Sequence, residues 1–114
     1  MVDARLPAHL EVAGLIRSVQ GEGGFAAVLG KGEREAGTIL VVTTQNGRNS
    51  RVFERMPQLD GTRKWSCSKQ QEPETPHDFN EYLERRKYQD PDLWIVELDI
   101  ANAERFIGLP PSLG

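Results

Sequence analysis

Arginine and tryptophan gathered around a turn can hold anions and stack against flat groups. The stretch RVFERMPQLDGTRKWS, residues 51–66, brings together Arg51, Phe53, Arg55, Arg63, Lys64 and Trp65. A guanidinium fork pairs with phosphate or carboxylate at two points, and an indole stacks on a base or on an arginine plane. On a strand, Arg51 and Arg55 stand about 13 Å apart. That spacing suits alternate phosphates of a nucleic-acid backbone or acidic side chains of a protein partner. A plainer explanation competes: edge-strand charges that deter sheet-to-sheet aggregation and pair with Glu54, Asp60 or the acidic C-terminal half. Trp65 would then be core.

Other chemistry-bearing residues are sparser. Glu97 and Asp99 share one side of a strand, about 6.6 Å apart. Paired carboxylates can hold a divalent ion or share acid–base work, as in a small metal-dependent hydrolase. However, Ile95 shares their side, and no histidine is placed beside them, so solvent-facing strand charges are the plainer reading. His9 and His77 open two different helices, and nothing in the spacing brings either to Ser66 or Cys67 for nucleophilic catalysis. Cys67, alternating in step with Trp65, reads as a small buried apolar residue. GKGEREAG, residues 30–37, matches neither glycine-rich phosphate-binding motif and reads as a mobile, charged hairpin loop. A single cysteine excludes an internal disulfide and a multi-cysteine zinc site. No catalytic residue, metal site or cofactor is expected.

The elements that position these groups follow from periodicity. Ala8, Val12, Leu15, Ile16 and Val19 make a helical stripe, begun at Pro7 and ended by the glycines of residues 21–24. FAAVL, residues 25–29, reads as a strand, and TILVVTT, residues 38–44, as a central strand covered on both sides. Asn46-Gly47 marks a tight hairpin turn. With those two as the loop, Gln45 pairs with Arg48, Val42 with Arg51, Leu40 with Phe53 and Thr38 with Arg55. Arg51, Phe53 and Arg55 then share one side, opposite to Val52 and Glu54. Asp60-Gly61 turns the chain into a return strand, residues 63–68. Thr75 caps a second helix starting at Pro76, with Phe79, Tyr82, Leu83 and Arg86 along one side. A last strand covers residues 93–100, and Asn102 caps a closing turn with Phe106 and Ile107. The order α-β-β-β-β-α-β-α gives an α+β fold, a mainly antiparallel sheet of about five strands with two main helices.

Composition limits the partners. The 114 residues fit one domain, 1–114, with 17 acidic and 14 basic side chains and a net charge of −3. A basic patch must therefore be local: residues 48–70 hold six basic side chains against Glu54 and Asp60, while acids dominate beyond Gln71. No apolar run approaches the ~20 residues of a membrane span, and Asp3, Pro7 and Glu11 interrupt any leader-like stretch. The expected location is the cytoplasm.

The segments RLPAHLEVAGLIR, GGFAAVLGKGEREAGTILVV, NGRNSRVFERMPQLDGTRKWS and QDPDLWIVELDIANAERFIG resemble the alphaproteobacterial domain-of-unknown-function family DUF1491. The resemblance runs from Leu6 to Gly108. It implies a small bacterial cytoplasmic protein with an α/β-type fold, and carries over no catalytic or binding residues.

Together these readings favour a non-enzymatic binding or regulatory module over an enzyme, its surface on the basic, aromatic hairpin 48–69. The partner is a protein or a second copy, ahead of a nucleic acid or phosphate ligand, with no membrane.

Overall fold

The computed structural model describes residues 6–109. Helix α1 (Ala8–Gly21) is followed by strands β1 (Phe25–Gly30), β2 (Ile39–Gln45), β3 (Arg48–Pro57) and β4 (Arg63–Gln70). Helix α2 (Pro76–Gln89), strand β5 (Trp94–Asp99) and a 3₁₀ turn η1 (Ala103–Ile107) complete the chain. None of the described helices is long and apolar enough to cross a membrane.

The five strands form one sheet in the order β1-β5-β2-β3-β4. It is mixed rather than mainly antiparallel. Tight connections make β2–β3 and β3–β4 antiparallel, and β1–β5 is antiparallel too, but β5 enters beside β2 and runs parallel to it. The cause is α2, which carries the chain from the β4 edge back to the centre of the sheet. No hairpin can make that crossing.

Two apolar clusters explain why β2 reads as apolar on both sides. Ile39, Val41, Trp94, Val96 and Leu98 pack against Ala8, Val12 and Val19 of α1. Leu40, Val42, Val52, Leu93 and Ile95 pack against Phe79 and Leu83 of α2. Thr75 and Pro76 begin α2 as the spacing predicts, although the threonine hydroxyl makes no capping bond.

The β1–β2 segment is not a hairpin loop, because β5 lies between the two strands. It is pinned at several points. The Trp94 indole N–H donates to the Glu33 carbonyl at 2.7 Å, and the Glu33 N–H donates to the Asp92 carbonyl at 3.0 Å. The N–H groups of Ala8 and His9 donate to the carbonyls of Glu35 and Arg34, both at 2.9 Å. The segment thereby satisfies two of the donors that the first turn of α1 leaves without helical partners.

Candidate functional site

The hairpin expected at Asn46-Gly47 forms, and Gln45 pairs with Arg48. Beyond that pair the register differs by one residue from a simple two-residue hairpin: Thr43 faces Arg51, Val41 faces Phe53 and Leu40 faces Glu54. One residue of β2 (Thr44) is matched by two of β3 (Asn49 and Ser50), and Asn49 takes the left-handed backbone at φ 56°. This is a bulge. Ser50 is held at it by a hydroxyl bond to Thr44 at 3.0 Å. Since side chains alternate, a one-residue shift moves a strand's whole set to the other side relative to its neighbour. The arginine side of β3 therefore shares its surface with Val41 under α1, rather than with Leu40 and Val42 under α2.

Five of the six sequence-predicted site residues stand on that α1 side. Arg51, Phe53 and Arg55 alternate along β3, and Trp65 and Arg63 lie opposite Arg55 and Pro57 on β4. Lys64 faces the other way, opposite Met56, and is exposed. Phe53 is only 5% exposed. Trp65 is half-buried and packs on the α1 cluster.

Arg51 and Arg55 are engaged within the fold. Arg55 meets Glu11 of α1 at two points, 2.8 and 3.0 Å, and lays its guanidinium over the Trp65 ring at 4.7 Å. Arg51 lies 3.7 Å from Glu104 of η1. On the other side of the sheet, Arg86 of α2 joins Glu54 at 2.7 Å and donates to the Tyr82 hydroxyl at 2.8 Å. The Glu54 bond holds the Arg86 guanidinium above its ordinary pKa. Glu11 and Glu104 lie far away in sequence, and with Arg86 on Glu54 they leave the hairpin tied down rather than presented as a bare basic surface.

Cys67 is exposed, not buried, because β4 is the last strand of the sheet and presents it to solvent. His9 is fastened to the β1–β2 segment: its Nδ1–H donates to the Arg34 carbonyl at 3.0 Å, and its Nε2 accepts from Arg34 at 3.3 Å. Glu97 and Asp99 share a side, opposite Val42 and Thr44 of β2. Partial burial, reinforced by the neighbouring Asp99 charge, pushes the Glu97 carboxyl above the ordinary range. Asp99 accepts the Asn46 N–H at 2.8 Å. Among the described residues no group of three or more His, Cys, Asp or Glu is placed to hold a metal ion.

One of the clefts beside the hairpin is apolar. A groove of about 320 Å³ runs between α1, Trp65 and η1, its walls including Leu10, Leu15, Phe106 and Ile107. Leu10 is 49% exposed, and Gly14 one turn further along has nothing within 4 Å of where a side chain would begin. Leu10, Gly14 and Ser18 form an i, i+4 row spanning about 12 Å of helix, outside the stripe that faces the core. The reading of the sequence missed that row: its one signal is Leu10, a single leucine off the main stripe, which is weak. Phe106 and Ile107 reach the groove only through the tertiary fold.

The chain matches the family model described as "Protein of unknown function (DUF1491)" over residues 6–108. It is similar to the crystal structure of a DUF1491 family protein from Caulobacter crescentus, at 32% identity and a TM-score of 0.80, covering 93% of this chain and 98% of that one. An NMR structure of a DUF1491 family protein from the same organism gives 32% identity and a TM-score of 0.76, with 95% and 97% covered. A solution structure of a protein from A. tumefaciens gives 29% and 0.69, with 96% and 100% covered. No curated protein matches. The matched span takes in both helices, all five strands and η1: the chain belongs to the DUF1491 family.

Proposed function

We propose that the chain is a small, single-domain, cytoplasmic protein-binding module without catalytic activity, and that its docking surface is the groove beside the hairpin rather than the arginines themselves. The observation that carries this reading is the unpartnered row of Leu10, Gly14 and Ser18 facing Trp65 and Phe106 across the groove. The partner is an amphipathic helical segment of another protein. A groove flanked by a helix with a glycine notch in its ridge accepts a second helix, whose apolar residues repeat at i and i+4. The groove also sets the partner's charge. Arg55 is neutralised by Glu11 and covers one side of Trp65, so the contact strip favours uncharged, aliphatic anchors.

Selection from a display library of short helical peptides tests this. The reading expects enrichment of sequences with apolar residues at i and i+4, and loss of their binding in Gly14→Leu. That substitution fills open space on a helix, so the fold stays intact while the notch closes. No enrichment, or peptides indifferent to Gly14→Leu but lost in Arg51→Glu/Arg55→Glu, would return the surface to the basic hairpin or remove it.

A further inference from the structure

The two open edges of the sheet are built differently. β4 carries Arg63, Lys64 and Lys69, so pairing two β4 edges antiparallel would bring cations together. β1, Phe25-Ala-Ala-Val-Leu-Gly30, carries no charge at all. Phe25 is 79% exposed, Val28 42% and Leu29 40%, on a strand whose only sheet neighbour among the described residues is β5. The outer backbone groups of such an edge are a template for another strand, and edges of monomeric proteins normally carry a charge, a proline or a cover against it.

We propose that β1 is a self-pairing edge: two copies of the chain join antiparallel through β1 about a two-fold axis, giving one continuous sheet of ten strands. The occupant is a second copy because an uncharged strand opposes nothing to itself, and it offers no charge by which a different strand would be chosen. The side chains also define a register. Phe25 and Ala27 lie on one side of the sheet, facing Asp99 and Glu97, and Ala26 and Val28 lie on the other, facing Leu98 and Val96. With the axis beside Ala27, Ala26 of each copy faces Val28 of the other, small against large. Phe25 then lies at the end of the shared ladder, beside Leu29 of the second copy, an aromatic–aliphatic contact. The irregularity between Val28 and Gly30 ends the regular ladder there.

Light scattering on the purified full chain across a concentration series tests the proposal, together with oxidation of an Ala27→Cys variant in a Cys67→Ser background. Reversible dimerisation is expected, abolished by Val28→Lys with no loss of secondary structure or cooperative unfolding. Ala27→Cys should cross-link into dimers and nothing larger, because a position on the axis meets its own copy within disulfide reach. A chain that stays monomeric at the highest soluble concentration overturns the proposal. So does a dimer indifferent to Val28→Lys, or growth into open-ended assemblies, which would mean head-to-tail pairing of β1 with β4.

Discussion

Arg55 of β3 grips Glu11 of α1 with both terminal nitrogens, at 2.8 and 3.0 Å, while its guanidinium lies 4.7 Å above the Trp65 ring of β4. One side chain thus ties the first helix to the two strands of the second hairpin, across 44 residues of sequence. Two-point contact and partial burial lift this pair above the ordinary surface salt bridge. A double-mutant cycle of Arg55→Met and Glu11→Gln should show each single change costing about 1–2 kcal/mol, with a coupling of about 1 kcal/mol between them. Additive losses in denaturant melts would show that the contact contributes nothing of its own.

Asn49 holds the bulge that decides which side of the sheet the hairpin arginines occupy. At φ 56° an asparagine is tolerated, a β-carbon without a polar group is less so, and glycine is unstrained. Asn49→Ala should therefore cost about 1 kcal/mol, and Asn49→Gly no more than a few tenths. Equal losses in both variants would instead point to a side-chain contact as the role of Asn49.

The same residue marks where sequence reading stops. The turn was legible because Asn46-Gly47 is a local signal, and the sharing of one side by Arg51, Phe53 and Arg55 follows from alternation alone. The bulge was not legible: Arg48-Asn49-Ser50 carries no proline or glycine to announce an extra residue. The parallel pairing of β2 with β5 was hidden for a different reason: no short-range rule reaches across the stretch of chain between the two strands.

 Residues 46–93, 48 in all, lie between the end of β2 and the start of β5, and only the route of α2 across the sheet brings the two strands together. The partners of the arginines were equally remote. Glu11 and Glu104 belong to elements at opposite ends of the chain, so a locally basic stretch became a network of ion pairs once folded.

The β1–β2 segment gives a sharper test of close packing. A β-carbon at Gly32 or Gly37 would collide with the Asp92 carbonyl oxygen, which is backbone and cannot swing away. Gly32→Ala should therefore destabilise by about 2 kcal/mol or more, because overpacking against main chain forces the backbone to shift. Gly14→Ala is the matched control: its β-carbon meets nothing, and it should gain up to about 1 kcal/mol from helix propensity. Thermal unfolding of the two variants should move in opposite directions. A harmless Gly32→Ala would mean that the segment is not held against β5.

Glu97 makes stability depend on pH in a direction opposite to that of a salt-bridged acid. Burial and the adjacent Asp99 raise its carboxyl above the ordinary range, so the folded chain holds this proton more tightly than the unfolded chain does. The favourable contribution is fully present below the unfolded-state value and is lost as pH rises through the higher folded-state value. At neutral pH the group is therefore a cost, moderated by its partial exposure to solvent. Glu97→Gln mimics the protonated acid and should raise the melting temperature by a few degrees at neutral pH, since about 1 kcal/mol moves a domain of this size by roughly 4 °C. The advantage over wild type should shrink as pH falls through the folded-state value towards the ordinary glutamate range, where Glu97 itself takes up the proton. Other acids titrate in both proteins, so the difference between the two melting curves is the quantity to follow. A Glu97→Gln variant less stable than wild type at neutral pH would show instead that the charged carboxylate is favourably engaged in the folded chain.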